Sequence, residues 1–230
     1  MKKMILTLVS VLFFLSTMNA QQTNVIYLGT KKKVNVSVDP PDAKLYVNGQ
    51  MVTTGGSTQI KIPYMSQITV KAEKIGFITQ ERTYLNNNTT SVPKADFIKL
   101  EEDDSYTGSV QTDLANKDVE IKTTKSEEDA WKELSMIVTN YFDVLDVSDR
   151  NTSYLRTAWT QKSFKGGTIR TRLIIKVGSL NPLTYKVKIA SEKAKPGTSV
   201  KADEEFKEWD RLLRTFEPII SELQSRLGKS

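Results

Sequence analysis

The chain has 230 residues and contains neither cysteine nor histidine. Zinc and haem sites therefore lose their usual ligands, and Ser-His or Cys-His nucleophilic catalysis has no members to draw on. The lack of cysteine fits an oxidising compartment in which no disulfide is used. Long apolar runs are also scarce. Beyond the first fifteen residues no stretch is long and apolar enough to cross a bilayer. Acid–base catalysis would have to come from a pair of carboxylates, and no such pair stands out. Glu127, Glu128 and Asp129 fall at a predicted helix start, where the helix dipole is sufficient reason for them. Asp103 and Asp104 lack the Asp-x-Asp-x-Asp-Gly spacing of a calcium loop. The expectation is a protein with no catalytic residue, no metal and no cofactor.

Residues 1–20 read MKKMILTLVSVLFFLSTMNA. A basic start, a short apolar run and a small polar end predict a secretory signal peptide, cut after Ala20 although Met18 is larger than the residue usual there. No cysteine follows for lipid attachment. Removing Lys2 and Lys3 from the formal charge of +6 leaves +4. That is a mild charge, suited to solubility and weak attraction to anionic surfaces and not to dedicated nucleic-acid binding. The mature chain is expected to be exported, without a transmembrane span. Its place would be periplasmic, outer-membrane-associated or secreted.

Residues 34–77 are the most informative stretch. Val34, Val36 and Val38 alternate with Asn35 and Ser37, the period of a half-buried strand. Asp39-Pro40-Pro41-Asp42 breaks it, because proline fixes φ and removes a donor. Residues 44–47 form a second predicted strand closed by Asn48-Gly49, a strong hairpin signal. Gly55-Gly56 turn the chain again. Alternating runs follow around Ile60 and Ile62, and around Ile68, Val70 and Ala72, before Gly76-Phe77. The chain then continues through 78–85 to the polar turn at 86–90, the last strand of the module is expected at 97–100, and a short extra one at 25–28.

Strand, Pro-Pro-Asp-Ala, Leu-Tyr-Val-Asn-Gly, a glycine turn and Lys-Ile-Gly-Phe together resemble a PEGA domain over about residues 30–100. The name-giving Pro-Glu-Gly-Ala stands here as Pro41-Asp42-Ala43-Lys44, so only the proline and the acidic position match. The resemblance implies a small β-sandwich of bacterial surface and envelope proteins. The first domain is thus expected to be all-β and to occupy residues 21–100.

Residues 101–117, EEDDSYTGSVQTDLANK, have an acidic cluster and no period, which predicts a solvated linker. An α+β domain is expected from 118 to 230. Val119 and Ile121 suggest a strand, and Ser126 caps a helix whose apolar face holds Ala130, Leu134, Ile137, Val138 and Tyr141. Strands are predicted at 142–147, 153–160, 168–177 and 184–191. Lys195-Pro196-Gly197 ends the sheet. A final amphipathic helix is predicted over 203–227, with Pro218 kinking or splitting it. An antiparallel sheet with two packed helices follows. The order resembles the helix-grip domain of NlpB-type (BamC-like) envelope lipoproteins over about residues 118–228. The residues that carry this likeness are Ala130-Trp131, Asp149-Arg150 and the strand Tyr154-Leu155-Arg156-Thr157-Ala158-Trp159. It implies an accessory role in an outer-membrane assembly, with the lipid-bearing cysteine missing.

Alternation puts Arg170 and Arg172 on one face of their strand, and Lys186 and Lys188 on one face of the next, with Arg156 nearby. If the helices cover the apolar face, these five residues line an open basic surface for a carboxylate- or phosphate-bearing partner. The competing interpretation is an ordinary solvated face. Trp131, Trp159, Trp209 and Phe216 sit at core spacing and are expected to pack. The expected function is that of a non-enzymatic interaction or structural module binding an envelope protein. The alternative is cell-wall glycan binding, with Tyr64 and Tyr84 as the stacking candidates.

Overall fold

The structure, a computed structural model, describes residues 29–228. The expected signal peptide, its cleavage point and the expected strand at 25–28 lie outside the described residues. Within them the protein is mostly β, with several antiparallel sheets and three α-helices.

Seven strands build the first unit: β1 (Lys32–Asp39), β2 (Lys44–Val47), β3 (Gln50–Thr53), β4 (Ser57–Ile62), β5 (Ser66–Glu73), β6 (Gln80–Asn86) and β7 (Ala95–Lys99). They form two sheets, β4-β1-β7 and β3-β2-β5-β6, and every pairing except β1 with β7 is antiparallel. The period of two decides what is buried. Val34, Val36 and Val38 point inward from one sheet, and Leu45, Ile68, Val70 and Ala72 from the other, into one shared core. The β2–β3 hairpin turns on Asn48 and Gly49, both at positive φ (48° and 82°), the conformation such a two-residue turn requires. The Asn48 side chain accepts from the Thr69 N–H, tying the turn to β5.

The expected linker is instead an ordered part of the fold. It contains α1 (Asp104–Thr107) and β8 (Ser109–Gln111), and Asp103, Ser105, Ser109 and Ala115 are buried. Its acidic cluster does not repel itself into solvent, because the charges meet partners. Asp103 takes Lys193 at 2.8 Å, and Asp104 accepts from the Lys165 N–H. Backbone bonds fasten the same segment to the first unit, from Asp103 N–H to the Gly76 carbonyl and from Ile78 N–H to the Glu101 carbonyl.

The second core begins at β9 (Asp118–Lys122) and α2 (Glu127–Tyr141). Ser126 caps α2, its hydroxyl accepting from the Asp129 N–H. The strands are β10 (Leu145–Asp149), β11 (Tyr154–Thr157), β12 (Thr160–Phe164), β13 (Gly167–Leu180), β14 (Leu183–Ala194), β15 (Lys207–Glu208) and β16 (Arg211–Leu213), with α3 (Ile219–Leu227) last. The long β13–β14 pair is the spine of a seven-stranded antiparallel sheet. β11 and β12 flank β13, while β9 and β15 flank β14. α2 and α3 pack together over Leu155, Ile169, Leu173, Ile175, Tyr185, Val187 and Ile189.

The final amphipathic helix expected over 203–227 is corrected: only residues from Ile219 onward are α-helical. The apolar residues of the stripe are all buried, from Phe206 and Trp209 to Leu223 and Leu227, but the first half is extended. Tertiary partners supply the backbone bonds there. Trp209 N–H donates to the Ser191 carbonyl, the Trp209 carbonyl accepts from Asn116 Nδ2, and β16 pairs with β8. Pro218 has no N–H to give and stands at the start of α3, its carbonyl accepting from Glu222 N–H.

Candidate functional site

The sheet face turned away from α2 and α3 is where the expected basic residues belong, and the structure divides them into three environments. Arg170 is a correction. It is 3 % exposed and cannot line an open surface. Its guanidinium donates to Glu192 at 2.7 Å, to the Val200 carbonyl at 2.8 Å and to Asp203, and it rests on the rings of Phe206 and Trp159 at 4.0 and 4.2 Å. The segment that caps it is the one expected to begin a helix, so its burial was hidden from strand alternation alone.

Arg156, Lys186 and Lys188 do face solvent in part, but each has an acid. Arg156 pairs with Asp146 at 2.6 Å, which raises its pKa above the ordinary value. Lys186 meets Glu120 at 3.7 Å, and Lys188 meets Asp118 at 3.6 Å. Burial works against ionised Asp118, yet Lys176 and Lys188 together hold its carboxyl below the usual range. The face is therefore nearly balanced in charge and is not a basic field.

Arg172 is the exception. Among the described residues it has no carboxylate or carbonyl within bonding distance, Glu192 acts on it only at longer range, and its Nε is buried without a hydrogen bond. Its guanidinium lies 4.1 Å from the centre of the Trp159 ring. Burial first, and the neighbouring Arg156 second, push its pKa down from the usual arginine value. A buried charged donor left unpaired is unusual in a folded protein, and it is costly unless something completes it. A planar guanidinium beside an indole can take a carboxylate in a two-pronged bond while the apolar part of the same ligand covers the ring.

Trp159 was expected in the core with Trp131, Trp209 and Phe216. Those three are buried, but Trp159 is only half-buried and lies against the arginines. The chain passes between β11 and β12 at this point, which resets the alternation that placed it. The polar run Thr160–Phe164 after it was the available signal for an edge strand. The acids that neutralise the face were equally missed. Asp118 and Glu120 alternate with Val119 and Ile121, but nothing local says that β9 lies beside β14.

The two tyrosines differ. Tyr84 is a correction: it is buried in the first core, with its hydroxyl donating to Asp96 at 2.7 Å, and has no free ring face for a sugar. Burial and that bond push its pKa well up. Tyr64 is partly exposed, in a cleft with Asn87 and Asn88. Its ring lies directly against Gly29 and its hydroxyl donates to Asn88.

No group of three or more acidic side chains that could hold a metal occurs among the described residues. No helix among them is long and apolar enough to cross a membrane. No family model matches the chain, and no curated protein matches it either.

Proposed function

We propose that this chain is a non-enzymatic, exported module of the bacterial cell envelope that acts by protein–protein contact. The first unit would be a PEGA-like sandwich and the second a helix-grip-like domain. The contact would be made on the open sheet face at Arg172 and Trp159, where a single carboxylate of the partner docks on the guanidinium and an adjoining apolar group covers the indole. One observation carries this: among the expected basic site residues, Arg172 makes no hydrogen bond or salt bridge to another described residue, and Glu192 acts on it only from beyond bonding distance. The balanced charge around it favours one carboxylate over a polyanion, because Asp118, Glu120 and Asp146 would repel further negative charge.

A photo-crosslinking amino acid at Ile174, two residues along the same face, tests this in cells producing the full chain. A discrete adduct is expected there and not from Met136, which is exposed on α2. Arg172→Glu should abolish the adduct. An adduct that survives Arg172→Glu, or a monomer with no adduct at Ile174, overturns the assignment. Cell-wall binding is the weaker alternative, since Tyr64 is the one stacking candidate still accessible and its ring already touches Gly29.

A further inference from the structure

A second candidate site lies between the two cores. A groove of about 890 Å³ is walled on one side by the turn after β5 and on the other by the ends of β12 and β14. Its floor is the ordered 101–106 segment, which is bonded to both units and so fixes the width of the groove. Asp103 packs so closely on Gly166 that a Cβ there would fall 2.2 Å from the carboxylate.

The charges in this groove are unequally matched. Each acid is already engaged: Asp42 by Lys74 at 2.7 Å, Glu73 by Lys71 at 2.7 Å and Asp103 by Lys193 at 2.8 Å. Among the described residues Lys44 and Lys195 have no acid within salt-bridge distance, Lys44 acting on Glu73 only from farther off, and Lys165 reaches only Glu101 at 3.9 Å. Phe77, Tyr106 and Ile75 line the same groove, and Ile75 is 83 % exposed, the most of any large apolar side chain among the described residues. The volume is that of a ligand cleft.

We propose that this groove binds a short acidic peptide segment of another protein. Its carboxylates would meet Lys44, Lys165 and Lys195, and an apolar side chain would cover Ile75. Lysines are separate point charges and can each take one carboxylate spaced along a strand. The apolar and aromatic side chains that line the groove with them, Ile75, Phe77 and Tyr106, suit a peptide better than a uniformly hydrated polyanion. This site is independent of Arg172, which lies on the open sheet face.

The test is fluorescence anisotropy with a fluorescein-labelled Glu-Glu-Leu-Glu-Glu-Leu peptide and the full mature chain. Saturable binding that weakens with salt is expected. The pair Lys44→Glu and Lys195→Glu should weaken it by at least about tenfold, since two cations outside any salt bridge are reversed. Ile75→Ser should weaken it at constant charge, and Arg172→Glu should leave it unchanged. Lys44, Lys195 and Ile75 are exposed whereas Arg172 is partly buried, and the unfolding midpoints of all the variants serve as the folding control. Absence of saturable binding overturns the proposal, as does binding indifferent to the lysine reversals or lost with Arg172→Glu. So does binding of a heparin oligosaccharide in place of the peptide, with the same lysine dependence.

Discussion

Replacing Arg170 with methionine separates a buried strut from a surface cation. The change keeps much of the aliphatic bulk but removes the charge that answers Glu192 and Asp203. Breaking a buried pair from one side costs about 3–5 kcal/mol. Here Asp203 is 77 % exposed and rehydrates at little cost, whereas Glu192, at 22 %, does so only partly. That places the charge loss at the lower end of the range. Loss of the contacts to Trp159 and Phe206 adds about 0.5–1 kcal/mol each, partly recovered by methionine's sulfur against the rings. The expected total is about 4 kcal/mol. With a urea slope of about 2 kcal/mol per molar, the unfolding midpoint falls by about 2 M. Tryptophan fluorescence is the assay, because Trp131, Trp159 and Trp209 all belong to the second unit and report its unfolding without the first. Adding Glu192→Gln should restore about 1 kcal/mol by removing the stranded charge. A cost below about 1 kcal/mol for Arg170→Met, the worth of an exposed ion pair, would refute the placement of Arg170.

Two further outcomes concern ionisation. Tyr84→Phe should cost about 1 kcal/mol, because the bond to half-buried Asp96 is lost while the ring still packs. Burial and Asp96 raise the folded-state pKa of Tyr84, so its stabilisation is complete below the ordinary tyrosine value and declines as pH climbs above about 10. Urea unfolding of the first unit by far-UV circular dichroism should show that alkaline loss in the parent and a smaller one in Tyr84→Phe. Asp103 behaves oppositely. Burial opposes its ionisation, but the bonds from Lys193 and Ser105 outweigh it and hold its carboxyl below the usual range. Its stabilisation is present at neutral pH and is lost as pH falls below about 4. Asp103→Asn keeps the acceptor for Ser105 N–H yet strands Lys193, so about 2–3 kcal/mol should vanish at neutral pH and about 1 kcal/mol less than that at pH about 3. Equal losses at both pH values would sink the pairing.

Much of the first unit was legible because its signals are local. A valine alternation, a paired proline break and Asn48-Gly49 each state their own geometry, and β2 occupies the residues expected of it. The helix at α2 announced itself through Ser126 and the acids after it. The tail was misread for the same reason. Spacings of three and four between Phe206 and Leu227 look helical, yet the chain between Lys207 and Leu213 satisfies its backbone against Ser191, Asn116 and β8.

The sequence by itself determined which residues would be buried on β1, β4, β5, β13 and β14, where many of the turns fall, and that imidazole and thiol chemistry are absent. It could do so because burial follows a two- or three-residue period that any short window contains. The tertiary structure alone decided which charges remain unanswered. Arg170, Lys186 and Lys188 carry the same alternation as Arg172, but their fates depend on acids brought from 22 to 70 positions away by strand pairing and by the returning tail. The acidic 101–117 stretch is ordered for the same reason: Lys193, 90 residues on, supplies the opposite charge that its own composition lacks nearby. Coulomb attraction depends on distance in space, and that distance is set by which strands become neighbours.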